Sequence, residues 1–206
     1  MKLVLIHGSG HRKESWEKTI FYMENKKYIL NPDLSTILNG KEASYSNLYS
    51  QFREYCNKID GKMNLCGLSL GGILALNYAL DFPKKVNSLI LIGTPYKVPK
   101  IMFRIQNMIF KVLPKSLFKS MAFNKKDTFI LGESMKDLDF SKEVQNIKCK
   151  TLIICGQKDK ANIKSAYYLS ENIKNSQLKI MNNTGHIVNE ENPEDLAIVI
   201  NNFLKD

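Results

Sequence analysis

Short aliphatic runs and longer amphipathic stretches take turns along most of this chain. Lys2 to Ile6 is nearly all aliphatic, which predicts a parallel strand covered on both faces rather than a half-exposed one. A helix is expected from Lys13 to Glu24. A second short strand, Tyr28 to Asn31, closes at Pro32-Asp33, and Asn39-Gly40 marks a loop. Ser46 to Ile59 reads as a helix with Leu48, Phe52, Tyr55 and Ile59 on one side. Met63 to Cys66 is a buried strand, and Gly72 to Leu80 a helix apolar almost all round, ended by Asp81-Phe82-Pro83. Val86 to Ile92, Thr151 to Cys155 and Gln177 to Met181 are further strands, with a helix near Ile163 to Ile173 between the last two. Asn192-Pro193-Glu194-Asp195 starts a final helix, with proline in its first turn and Leu196, Val199, Ile200 and Phe203 as its core face. Strand followed by helix, repeated, predicts an α/β fold: a parallel sheet with right-handed crossovers and helices on both sides.

One segment breaks the rhythm. Tyr96 to Phe140 holds no convincing strand. Ile101, Ile105, Met108, Ile109 and Val112 recur at helical spacing, Pro114 forces a break, and Leu117, Phe118 and Met121 suggest a second short helix. The expected organisation is one domain over residues 1–206 with a helical insertion at about 96–140, the kind of segment that serves as a lid over a site.

Composition changes this picture in one respect. The net charge is +10, from 30 basic and 20 acidic residues. Ten of the basic residues lie between Phe82 and Lys126, where there is no acid, so the whole excess sits around the insertion and the remainder is neutral. Lys100, Arg104 and Lys111 beside Ile101, Met108 and Phe110 admit a peripheral contact with an anionic membrane or polymer; a solvated lid face is the simpler reading. No recognition motif accompanies the charge, so nucleic acid is not an expected partner. Cys56, Cys66, Cys149 and Cys155 show no CxxC or zinc spacing, and two lie inside strand-like runs as small hydrophobes. No metal or cofactor is expected. The apolar run at the N-terminus ends at His7-Gly8 without a small-residue cleavage site, and no stretch has the length of a bilayer span. The expected compartment is a reducing cytoplasm.

The candidate chemistry centres on Leu65-Cys66-Gly67-Leu68-Ser69-Leu70-Gly71-Gly72. Gly67-x-Ser69-x-Gly71, between a predicted strand and a predicted helix, has the form of a nucleophile elbow, in which the serine takes a strained conformation at a tight turn. A serine hydroxyl needs a base, and the base needs a carboxylate. Of three histidines, His186 ends a loop directly after a predicted strand, as Ser69 does. His7 sits in the glycine loop His7-Gly8-Ser9-Gly10 and is expected to brace it by hydrogen bonding; His11 is expected to be a solvated loop residue, and Trp16 a core residue. Loops at the carboxyl ends of parallel strands open on one edge of the sheet, so Ser69 and His186 face each other. Asp159 follows the Thr151 strand by the same logic. Asp139 in the insertion, and Glu190 or Glu191 beyond the histidine, are the rival carboxylates.

Taken together, HGSG, PDL, GLSLGG, YALDFPKKVNSLILIGTP, GQKD and GHIVNEENPEDL resemble the α/β-hydrolase family in order and spacing over nearly the whole chain, the insertion excepted. The resemblance implies Ser69 as nucleophile, His186 as base, Asp159 as its orienting acid, and the N–H groups of Leu70 and Ser9 as the oxyanion hole. It also implies a doubly wound sheet of about six parallel strands in the order 2-1-3-4-5-6. The family usually places two further strands before the HG loop, whereas this chain opens at that strand and leaves strand 2 as an edge. Serine at the elbow argues against the family's dehalogenases and epoxide hydrolases. The implied activity is hydrolysis of a carboxylic ester or thioester of a small or acyl substrate through an acyl-enzyme. A slow-turnover ligand binder on the same fold is the other class.

Overall fold

In the computed structural model, residues 1–98 and 121–205 are described. Six strands form one wholly parallel sheet: β1 (Lys2–Ile6), β2 (Ile29–Leu30), β3 (Met63–Leu68), β4 (Val86–Ile92), β5 (Lys150–Gly156) and β6 (Ser176–Met181). Their order is β2-β1-β3-β4-β5-β6, the expected one. The direction of winding reverses between β1 and β3, the position at whose carboxyl edge such sheets place a ligand site.

Helices cover both faces because the strands are apolar on both. Val4, Ile6, Leu65, Leu89, Leu91, Ile153 and Cys155 point into one cluster with α2 (Leu34–Leu38), α3 (Tyr45–Asn57), α4 (Leu70–Asp81), α5 (Lys125–Met135) and α6 (Ile163–Asn172). Their neighbours Leu3, Leu5, Cys66, Leu68, Ile90, Ile92, Leu152 and Ile154 point into a second cluster with α1 (Glu17–Tyr22) and α8 (Pro193–Lys205). A short α7 (Val188–Glu191) precedes α8. Alternation of period two therefore divides each strand between two cores, and each fully buried Leu or Ile contributes about 1.5–3 kcal/mol. Cys66 and Cys155 are among these core residues, and all four cysteines are free thiols. Trp16 is completely buried, as expected.

Several local elements differ from their sequence expectation. The helix over Lys13–Glu24 is a 3-10 turn, Lys13–Trp16, followed by α1, which ends at Tyr22. Strand β2 is only two residues long. Helix α2 was not expected; Asp33 caps it by accepting hydrogen bonds from the N–H groups of Ser35 and Thr36, and Asn39 ends it in the left-handed conformation. Helix α5 lies in the insertion, expected to be helical, in a part where the sequence predicts no particular helix; Asn124 caps it. The base of the insertion is pinned by an antiparallel bridge between Lys97 and Asp139, with Val98 N–H donating to Leu138 and Phe140 N–H to Tyr96. The helices expected around 101–112 and 117–121 lie largely outside the described residues. No helix among the described residues is long and apolar enough to cross a membrane.

Three glycines let β3, α4 and the neighbouring strand ends approach within backbone contact. A side chain at Gly67 would run into the backbone of Gly71 and Gly72, and one at Gly71 into the carbonyl of Ile6. At Gly72 the obstacle is Thr94, itself buried at the end of β4. Gly72→Ala is expected to destabilise the fold by about 1–3 kcal/mol in urea unfolding. Gly10→Ala, where an added methyl meets nothing within 4 Å, is the control and should leave the midpoint at or slightly above the wild-type value.

Candidate functional site

Ser69 caps α4 with φ 53° and ψ −112°. Four described non-glycine residues have positive φ; the other three are asparagines, the residue type that tolerates it best. Ser69 is therefore the strained exception, at a cost of about 1–3 kcal/mol. Its N–H donates to the carbonyl of Ile92, and its side chain makes no capping bond, so the hydroxyl is not committed to the helix. Leu70, the first residue of a 12-residue helix, follows with its N–H among those that have no intrahelical partner.

The HGSG loop turns beside it. His11 N–H donates to the Gly8 carbonyl, closing a turn with Ser9 and Gly10 at its crest. A side chain on Gly8 would lie 3.6 Å from Ser69 Cβ, which fixes how closely loop and elbow meet. His7 is buried and braces this loop, as expected: Nδ1–H donates to the Gly8 carbonyl at 2.8 Å and Nε2 accepts from Leu34 N–H at 2.9 Å. An N–H can only donate, so the ring is the neutral tautomer protonated on Nδ1. Burial holds its pKa below the usual histidine value against the opposing pull of Asp33.

His186 and Asp159 meet across the neighbouring strand ends. His186 Nδ1 lies 2.6 Å from Asp159 Oδ2. Asn162 donates from Nδ2 to both carboxylate oxygens at 3.0 Å, and its backbone N–H to Oδ1 at 3.2 Å. Burial pushes the Asp159 carboxyl up, but the bonds from His186 and Asn162 outweigh it and hold it below the usual carboxylate range. An ionised Asp159 only accepts, so His186 carries a proton on Nδ1, and Nε2 is the ring nitrogen left outside this bond. The two loops are stitched by Lys158 N–H to Thr184 and Gln157 N–H to Met181, and Gly156 leaves room for the carbonyls of Thr184 and Gly185.

Gly93 links this pair to Ser69. It follows Ile92, which holds Ser69, and donates its own N–H to Ile154. At φ 51° it would aim a Cβ to within 2.9 Å of His186 Nδ1 and 3.2 Å of Asp159 Oδ2. Neither Gly93 nor Asn162 was singled out from sequence. A glycine directly after a buried strand was the available signal for the first; the second carried none. The rival carboxylates bond elsewhere: Asp139 accepts from Ser141 N–H, Glu191 from backbone amides, and Glu190 is exposed. His11 departs from expectation, being half-buried, with Nδ1 shielded from solvent and its pKa lowered by burial and by the proximity of His186. Among the described residues no group of three or more His, Cys, Asp or Glu is arranged to hold a metal ion.

Known proteins carry the same arrangement of chain. A family model described as alpha/beta hydrolase fold matches residues 57–124. The chain is 25% identical to the pimeloyl-[acyl-carrier protein] methyl ester esterase of Legionella pneumophila (strain Lens), over all of this chain and 95% of that protein. It is 24% identical to the monoacylglycerol lipase ABHD6 of Mus musculus, over 98% of this chain and 75% of that one. A thermophilic esterase from Thermogutta terrifontis superposes with a TM-score of 0.81 at 19% identity, covering 100% of this chain and 89% of its own.

Two measurements test the geometry. Gly93→Ala is expected to break the His186–Asp159 bond, seen as loss of the downfield imidazole proton of His186; persistence of that resonance would show that the loop takes a Cβ freely. Because His7 is held neutral, the unfolded chain binds its proton near pH 6.5 while the folded chain does not. Stability should fall as pH drops below that value and through the lower folded pKa. In His7→Asn the loss of Tm between pH 7 and pH 5, which His11 shares in sign, should be smaller than in the wild type.

Proposed function

This chain belongs to the α/β-hydrolase family, and from that premise we propose that it hydrolyses carboxylic esters or thioesters with Ser69 as nucleophile, His186 as general base and Asp159 as its orienting acid. The observation that carries the reading is the 2.6 Å contact between His186 and a low-pKa Asp159, made at the strand ends that also hold the strained Ser69. With Nδ1 committed to Asp159, Nε2 takes the proton from Ser69 as Oγ attacks the acyl carbonyl. Negative charge then grows on the carbonyl oxygen, and the N–H groups of Leu70, at the N-terminus of α4, and of Ser9, at the crest of the HGSG turn, are assigned to receive it. The alcohol or thiol leaves with the proton returned by His186. Water, deprotonated by the same ring, then releases the acid and restores Ser69.

The two relatives named above act on a carrier-bound methyl ester and on a monoacylglycerol, which favours an acyl ester over other bonds as the substrate here. Residues 96–140 are proposed as a cap on a single domain. Support comes from the bridge at the base of the insertion and from Ala122 N–H, which donates to the carbonyl of His11 beside the site.

A fluorophosphonate probe should label Ser69. Ser69→Ala should abolish labelling and lower kcat for short p-nitrophenyl esters by about 10⁴-fold or more. Full activity in that variant would overturn the assignment. An acyl-length series of esters and thioesters measured on the wild type should then give a single preferred length and bond type as the highest kcat/KM.

A further inference from the structure

His186 is held by its ring and also by its backbone. The Gly185 N–H donates to Glu191 Oε2 at 2.6 Å, and the Ile187 N–H donates to Glu191 Oε1 at 3.2 Å. One carboxylate thus takes the amides on either side of the histidine, one oxygen each. Glu191 reaches them because α7 turns it back: its own N–H bonds to the Ile187 carbonyl. Gly185 allows the approach, since a Cβ there would lie 2.8 Å from Glu191 Oε1. We propose that Glu191 is a positioning residue that fixes the direction of the His186 ring by clamping the peptide units beside it. The proposal rests on the reading of His186 as the general base. Asp159 sets the tautomer and the tilt at Nδ1; Glu191 sets where the Cα, and hence the whole ring, stands relative to Ser69. Charge-assisted bonds to both amides make that placement stiff. A base displaced by a fraction of an ångström loses proton transfer and leaves substrate binding untouched, so the effect belongs in kcat.

The test uses Glu191→Gln, which keeps one carbonyl acceptor but turns an NH₂ against the other amide, and Glu191→Ala, which removes both acceptors. Activities are expressed per titrated active site so that misfolded protein does not count. For p-nitrophenyl acetate, kcat is expected to fall roughly tenfold in the Gln variant and further in the Ala variant, with KM within about twofold of wild type and fluorophosphonate labelling of Ser69 slowed in the same order. Wild-type kcat per active site in both variants would overturn the proposal. So would a loss shared equally by kcat and KM. If neither variant folds, amide proton resonances of the wild type decide: Gly185 and Ile187 far downfield and slow to exchange with solvent support the clamp, and ordinary shifts with fast exchange refute it. His186→Gln separates the two readings. Retained hydrolysis there refutes the base assignment itself, whereas an inactive His186→Gln beside fully active Glu191 variants refutes the clamp alone.

Discussion

The positive φ of Ser69 is tenable because the glycines around it in the turn, Gly67, Gly71 and Gly72, carry no side chains. A serine in that conformation drives its flanking peptides into the end of β3, the start of α4 and the tips of β1 and β4, where two of the three glycines meet backbone and the third meets a threonine side chain. Gly67 faces Gly71 and Gly72, Gly71 faces Ile6, and Gly72 faces Thr94. The strain is repaid by burial on all sides: the strands supply two cores at once, and the helix that starts at Leu70 is buried along nearly its whole length. Elbow and sheet are one structural unit.

The same close approach propagates outward. Ile92 holds Ser69 by its carbonyl, and the next residue, Gly93, makes room for the His186–Asp159 pair. Beyond that, Gly156 admits the carbonyls of the loop that delivers His186, and Gly185 admits the carboxylate of Glu191. Four strand ends are thereby locked in sequence, each by a missing side chain, and the polar groups they carry lie on one edge of the sheet. The chemical consequence is a histidine whose tautomer is set by an ionised Asp159 and a serine whose hydroxyl has no competing structural bond.

Much of this was legible in the amino-acid order. The strands β1, β4 and β6 and the core faces of α3 and α8 follow from runs of aliphatic residues whose period is local. Ser69, Asp159 and His186 stand out as polar residues in the turns and loops that follow such runs. What escaped notice has a common character. Helix α2 depends on Asp33 as a cap between two turn signals, β2 shortens because only two residues pair with β1, and His11 is half-buried because the loop folds back on the elbow. Each is fixed by a contact with a part of the chain distant in sequence or by a cap that resembles a turn.

The order of residues by itself determined the α/β alternation and the family resemblance, and made Ser69, Asp159 and His186 the candidates, because hydrophobic period and chain reversal are properties of short segments. Only the tertiary structure decided which groups attend them. Gly93, Asn162 and Glu191 lie far from Ser69 along the chain, and their roles exist only once parallel strands bring β4, β5 and β6 to a common edge. Among the carboxylates open to choice from sequence, the register of β5 against β6 set Asp159 on the imidazole. The turn of α7 sent Glu191 to the backbone instead.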